Sequence, residues 1–208
     1  MSWGRRYPST LSTAPYPEPM PLATLDDLRT ARRVLVHGVT GAGKSTTAGA
    51  LGKVLGLPVH LYDEEFGWLP GWVNRPVEEQ RRLVAEVAAR PKWVFDTAYS
   101  SARDLIEPRA DVIVGLDYPR WLSLARLLRR TLRRVITQEE VCNGNTENCR
   151  AIFSKESIIA WHFKSFRKKK AAMKAWAARP DGAPILLLTH PRELDRALHA
   201  LASPRIDL

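Results

Sequence analysis

The chain has 208 residues, 45% of them apolar, enough for one globular domain with insertions or for a domain with a tail. No apolar run approaches the roughly 18 residues of a membrane span, and Arg5 and Arg6 are not followed by the apolar core of a secretory signal, so a membrane or exported protein is not expected. Two cysteines without an export signal suit a reducing cytoplasm, and a net charge of +10 favours anionic partners: nucleotide, nucleic acid or acidic lipid.

Prolines at 8, 15, 17, 19 and 21 mark residues 1–23 as an extended, Pro-rich leader, with a folded unit over 24–208. Thr24, with Asp27 three residues on, reads as the capped start of a first helix. Val34-Leu35-Val36 is β-branched and apolar, a buried strand. It runs into Gly38-Val39-Thr40-Gly41-Ala42-Gly43-Lys44-Ser45-Thr46, and a helix follows through Leu55. Strand, glycine loop and helix in this order make G-x-x-x-x-G-K-S a phosphate-binding P-loop. Its glycines let backbone N–H groups turn toward phosphate oxygens, and the helix N-terminus adds a favourable dipole. Gly38, Thr40, Gly41, Ala42, Gly43, Lys44, Ser45 and Thr46 are therefore expected around ATP. Lys44 would reach the β- and γ-phosphates, and the Ser45 hydroxyl would hold Mg²⁺.

Val59-His60-Leu61-Tyr62 reads as a short strand ending in Asp63, and a Gly/Pro-rich loop with Trp68 and Trp72 follows. A helix from Pro76 to Arg90 precedes the strand Trp93-Val94-Phe95, which ends in Asp96. Val112 to Leu116 is a further strand, ending in Asp117, and Pro184 to Leu188 is the last, before a helix over about Pro191 to Leu201. Strands alternating with helices indicate an α/β fold with a parallel sheet, whose ligands sit at the C-terminal strand ends. Three aspartates fall there. Asp96 is the candidate for water-mediated Mg²⁺ contact and Asp63 for meeting the acceptor as base or hydrogen-bond partner. Asp117 precedes Tyr118-Pro119 and reads as a helix cap.

Arginines 126, 129, 130, 133 and 134 form one basic stripe on a helix, with Trp121, Leu124, Leu128, Leu132 and Val135 as its apolar face. No acid interrupts it between Arg120 and Arg134. An unneutralised stripe suits the charge of a transferring phosphoryl group, and Arg126, Arg130 and Arg134 are the expected lid arginines. Residues 138–150 are polar and loop-like, in the place of a mobile lid over about 126–150. Cys142 and Cys149 lie within them and are expected as free thiols. A second long helix, about 154–178, carries Lys164, Arg167, Lys168, Lys169, Lys170 and Lys174. Its aromatics Trp161, Phe163, Phe166 and Trp176 are expected to pack onto the domain, leaving a solvated lysine face.

The P-loop, Leu-Gly-Leu-Pro-Val-His-Leu-Tyr-Asp, Gly-Trp-Leu-Pro-Gly-Trp-Val-Asn-Arg-Pro, Trp-Val-Phe-Asp-Thr-Ala-Tyr, Leu-Asp-Tyr-Pro-Arg, Arg-Arg-Thr-Leu-Arg-Arg and Cys-Asn-Gly-Asn together resemble a group of bacterial adenylate-kinase-like P-loop proteins, the topology modulation proteins. The resemblance runs from about Val34 to Leu201. It implies the nucleoside-monophosphate-kinase fold: three layers, a five-stranded parallel sheet in the order 2-3-1-4-5, an arginine-bearing helical lid, and an acceptor-side insert at about 64–91. By position it implies Arg75 and Tyr99 on the acceptor side and His190 and Pro191 beside the adenine base. The strand-end aspartate, followed by Gly-Asn-Tyr in that group, is here Asp96-Thr97-Ala98-Tyr99, and the adenylate-kinase pattern Asp-Gly-Phe-Pro-Arg is absent. The acceptor is thereby left open.

The first expectation is a monomeric or homodimeric P-loop kinase transferring phosphate from ATP–Mg²⁺ to a small-molecule or nucleotide acceptor held by Asp63, Trp68, Trp72, Arg75 and Tyr99. The second is a nucleic-acid-associated ATPase or nucleotide-binding regulator using the lysine helix. A GTPase is disfavoured by the lack of an Asn-Lys-x-Asp motif.

Overall fold

The structure, a computed structural model, describes residues 22–146, 158–178 and 182–203. The Pro-rich leader up to residue 21, lid residues 147–150 with Cys149, and the start of the second long helix lie outside the described residues.

Thr24 caps α1 (Leu25–Thr30) through a reciprocal box with Asp27. The main sheet then assembles from β1 (Arg33–Gly38), β2 (Val59–His60), β5 (Trp93–Phe95), β6 (Val112–Leu116) and β7 (Ile185–Leu188). All pairings are parallel, in the order β2-β5-β1-β6-β7. Counted along the main-sheet strands alone, this is 2-3-1-4-5. Every strand residue but one is buried in β1, and all are in β5 and β6, because helices cover both faces. The strand period of two then sorts the apolar residues between two cores. Val34, Val36, Val94, Val112 and Val114 pack with Leu28, Leu51 and Leu201. Leu35, Phe95, Ile113 and Ile185 pack on the other face with Val84, Trp93, Met173 and Trp176.

Helix α2 (Lys44–Leu55) starts directly from the P-loop and stops at Gly56, which is left-handed at φ 65°. Gly52 inside it is a packing device. A Cβ there would sit 2.2 Å from Val59 Cγ2, so only glycine lets α2 lie this close to β2. Between β2 and β5 the chain makes a π-helical turn (Asp63–Gly67), the hairpin β3 (Trp68–Leu69) and β4 (Val73–Asn74), and α3 (Val77–Ala88). The expected strand over 59–62 ends at His60, because Tyr62 turns inward and becomes fully buried. Helix α4 (Arg103–Ile106) precedes β6, α5 (Arg120–Thr137) follows it, and α6 (Ile158–Ala177) and α7 (Pro191–Ala202) flank β7.

Two expectations about α5 and α6 are corrected. The anticipated apolar face of α5 is turned to solvent, with Trp121 69% exposed, Leu128 44% and Leu132 60%. Its buried seam is Ser123, Leu127 and Thr131. Close approach sets this face: a Cβ on Gly41 would lie 2.2 Å from the Ser123 carbonyl oxygen and 2.9 Å from Leu127 Cβ, so α5 lays the 123–127–131 seam on the P-loop itself. On α6, Phe166 and Trp176 are buried as expected, whereas Trp161 and Phe163 are 46% and 49% exposed. No helix among the described residues is long and apolar enough to cross a membrane.

Candidate active site

The first β–α turn builds the site. Gly41 and Gly43 adopt φ of 82° and 98°, a region costly for residues with a Cβ, and this aims the loop's backbone into one concavity. Lys44 follows at the head of α2, where Nζ donates to the Val39 carbonyl at 3.4 Å. Burial lowers its pKa, while Asp96 and Asp63 nearby pull it back up. Ser45 Oγ donates to Asp96 Oδ2 at 2.6 Å, and the Tyr62 N–H donates to Asp96 Oδ1 at 2.9 Å. Burial raises the Asp96 pKa, and these hydrogen bonds with the Lys44 charge oppose the shift.

Asp63 opens the turn after β2 and accepts a hydrogen bond from the Tyr99 hydroxyl at 2.6 Å on Oδ1. Burial, followed by the charge of Asp63, drives the Tyr99 phenol far above its ordinary pKa, so Tyr99 stays a donor. The rings of Tyr62 and Tyr99 meet edge to face at 4.7 Å. Asp96, at the end of β5, and Asp63, in the turn three residues past β2 and not at a strand end as expected, thus both act on Lys44.

The arginine stripe splits by geometry. Positions 126, 130 and 134 each lie three residues beyond the buried seam of 123, 127 and 131, hence beside it on the helix surface. Arg126 Nη1 donates to the Ala42 carbonyl at 3.2 Å and its guanidinium lies 5.6 Å from the Tyr118 ring centroid. Arg126 and Arg130 line a cavity of about 400 Å³ together with Gly41, Gly43, Thr46 and Tyr118, closed by Pro191, Leu194 and Asp195 of α7. Arg134 acts on the Cys142 thiol from the same flank. Arg133 turns away to pair with Glu139 at 2.8 Å. Cys142 is a free thiol whose pKa burial pushes up to about 11.

The β3–β4 hairpin and the turn after α5 touch. The chain turns through Cys142, Asn143 and Gly144, all at positive φ, closing a bridge between Val141 and Asn145. Asn145 Oδ1 accepts the Trp72 N–H at 2.7 Å and its amide donates to the Leu69 carbonyl at 3.1 Å. Asn143 Nδ2 donates to the carbonyls of Glu64 and Trp68, and Trp72 Nε1 to that of Thr146. Trp68 and Trp72 pack edge to face at 5.5 Å. Arg75 pairs with Glu79 at 2.5 Å.

Three positions differ from expectation. Asp117 does not cap α5, whose N-cap is Pro119 without a side-chain bond; it pairs instead with Lys170 of α6 at 2.9 Å. Of the expected pair His190 and Pro191, only Pro191 lines the cavity; His190 is occupied as the N-cap of α7, accepting the Arg192 N–H. Lys169, expected on a solvated face, is half-buried and faces Lys44, Asp63 and Asp96. The signal for it was present: His162, Phe166, Lys169, Met173 and Trp176 recur every three or four residues, so Lys169 interrupts an otherwise inward stripe. The Asn143 and Asn145 ties had no comparable signal, since they join segments more than 70 residues apart.

The fold is that of the P-loop kinases of nucleoside-monophosphate-kinase type. Among solved structures it is similar to shikimate kinase from Acinetobacter baumannii in complex with shikimate, at TM-score 0.52 and 17% identity over 86% of this chain and 95% of that one. Shikimate kinase from Bacteroides thetaiotaomicron superposes at TM-score 0.49 with 15% identity, covering 83% and 97%. Deoxyadenosine kinase from M. mycoides superposes at 0.48 with 12% identity, covering 81% and 96%. No family model and no curated protein sequence matches the chain.

Proposed function

We propose that the chain is a kinase that moves the γ-phosphoryl group of ATP to a small-molecule or nucleotide acceptor. One observation carries this reading. The P-loop Lys44, the Ser45–Asp96 pair, Asp63 and two arginines of α5 converge at the C-terminal edge of one parallel sheet, beside a cavity of about 400 Å³. Phosphoryl transfer needs little covalent help. It needs positioning and compensation of charge on the moving group, which this set supplies.

The roles follow from chemistry. Backbone N–H groups of Gly41 to Ser45 and the N-terminus of α2 hold the phosphates, and Lys44 contacts the outer ones. Magnesium prefers oxygen ligands, and the adjacent oxygens of Ser45 and Asp96 fit it as direct and water-mediated partners. When bound, it would neutralise charge on the β- and γ-oxygens. Arg126 and Arg130 compensate further charge from the lid side. Tyr118, Pro191 and Leu194 offer the nucleoside end of ATP an apolar wall. With Oδ1 of Asp63 engaged by Tyr99, Oδ2 is left to accept the acceptor hydroxyl's proton as its oxygen bonds to phosphorus and ADP departs. The Trp68/Trp72 hairpin and Arg75 border the acceptor side.

A coupled ADP-release assay over nucleoside monophosphates, sugars and small alcohols tests this reading, with Lys44→Ala as control. Turnover on one acceptor class, lost in the variant, is the expected result. ATP binding without turnover on any acceptor and indifferent to Lys44→Ala would sink it. A nucleic-acid role is favoured by one feature, the exposed Trp161 and Phe163 interleaved with exposed Lys164, Arg167 and Lys168. Steeply salt-dependent binding of single-stranded DNA or RNA is its signature.

A further inference from the structure

Helix α6 brings to the site a cation that the roles above leave unused. Its inward stripe is anchored at both ends. His162 Nδ1 donates to the Thr40 carbonyl of the P-loop at 2.9 Å. Two turns beyond Lys169, the Trp176 ring meets His37 edge to face at 4.5 Å, one residue before the P-loop begins. Met173 fills the space over Gly115, where a Cβ would come within 3.3 Å of its sulfur. Beside it, Lys170 Nζ pairs with Asp117 at the end of β6. Lys169 is thereby fixed over the C-terminal ends of β1 and β6.

The neighbours of Lys169 come from every element around it: His37 from β1, Lys44 from α2, Asp63 from the turn after β2, Asp96 from the end of β5, Arg103 from α4, and His162 from its own helix. Lys170 has its carboxylate, but no ion pair holds the Lys169 ammonium among the described residues. Burial first, then the charges of Lys44 and Arg103, bring its pKa down to about 7, against the pull of Asp63 and Asp96. Three cations thus face two carboxylates, and the half-buried Lys169 ammonium has no ion pair among the described residues. A surplus of positive charge in a desolvated place is costly unless an anion completes it.

We propose that Lys169 is a catalytic residue whose ammonium contacts the phosphoryl group in transit between ATP and the acceptor. This rests on the phosphoryl-transfer reading. The lysine touches the γ-group and therefore distinguishes ATP from ADP, whereas Lys44 serves both nucleotides through the outer phosphates. No bond to Lys169 forms or breaks; it supplies charge as the P–O bond to ADP breaks and the bond to the acceptor oxygen forms.

The test is calorimetric titration of the full chain with magnesium–AMPPNP and with magnesium–ADP. In Lys169→Met, AMPPNP affinity is expected to fall about tenfold or more, the scale of one charge-assisted contact, while ADP affinity changes less than about twofold. Lys169→Arg keeps the preference for the triphosphate, which a purely packing role would not preserve. Lys169→Gln gives the same comparison if Met at this half-buried point prevents folding. Equal weakening of both nucleotides, or no weakening of either, overturns the assignment while leaving the nucleotide site standing. A wild-type chain that binds neither nucleotide overturns both.

Discussion

Ser45 Oγ and Asp96 Oδ2 lie 2.6 Å apart, joining the first residue pair of the P-loop helix to the end of the adjacent strand β5. Asp96 is 4% exposed, and burial holds its pKa above that of a free carboxyl. A carboxyl with a raised folded pKa favours the native state most when protonated, and that contribution is lost as pH rises through the folded pKa. At neutral pH the charged Asp96 therefore detracts from stability. Asp96→Asn keeps an acceptor for the Tyr62 N–H and removes the charge. It is expected to raise the melting temperature at neutral pH, to do so less as the pH falls and the native carboxyl takes up its proton, and to abolish the magnesium dependence of ATP binding. Paired melts and titrations with and without magnesium check this.

Gly41 and Gly43 both have positive φ, yet their replacement should differ in cost. A Cβ on Gly41 meets the Ser123 backbone at 2.2 Å and Leu127 Cβ at 2.9 Å, so α5 must move off the loop. Gly41→Ala is expected to destabilise by about 3 kcal/mol or more. At Gly43 the nearest atom is the movable Arg126 Nη1 at 3.7 Å, leaving only backbone strain of about 1–2 kcal/mol. Urea unfolding of the two variants orders them.

His37 is 2% exposed, with the Lys169 backbone beside its ring. Burial above all, then Lys169, Lys44 and Arg103, lowers its pKa to about 3. A depressed histidine contributes stability that is complete above the unfolded pKa of about 6.5 and is lost as pH falls toward about 3. Between pH 6 and 4 the stability is expected to drop by up to about 1.4 kcal/mol per pH unit from this group. His37→Leu flattens that part of the profile. An unchanged slope in denaturant unfolding at pH 6, 5 and 4 would show that His37 is not its source.

Asn145 is 4% exposed and ties the turn after α5 to the hairpin through Trp72 and Leu69. Asn145→Ala removes both bonds at a local junction. Global unfolding is expected to shift by about 1 kcal/mol or less per bond lost, while protease cleavage between 138 and 146 accelerates and the fluorescence of Trp68 and Trp72 changes together. Slow cleavage at wild-type rate would mean that this turn is held elsewhere.

Local chemistry was enough for much of the fold. The P-loop, the five short apolar strands, the Thr24–Asp27 cap and Asp96 at the end of β5 depend on neighbours within a few residues, and local pattern reports them. The resemblance supplied the strand order that the sheet adopts. Tertiary structure alone decided which face of α5 is buried, because Ser123 and Leu127 are the residues laid against Gly41 of the P-loop, which leaves Leu128 and Leu132 turned outward. It also decided that Asp117 binds Lys170 instead of capping a helix, and that Lys169 points inward while Lys164 and Lys168 stay in solvent. A sequence pattern states the period of a side chain's direction. What lies in that direction is set by segments distant in the chain, and for a charged group that surrounding determines whether it is solvated or waits for an anion.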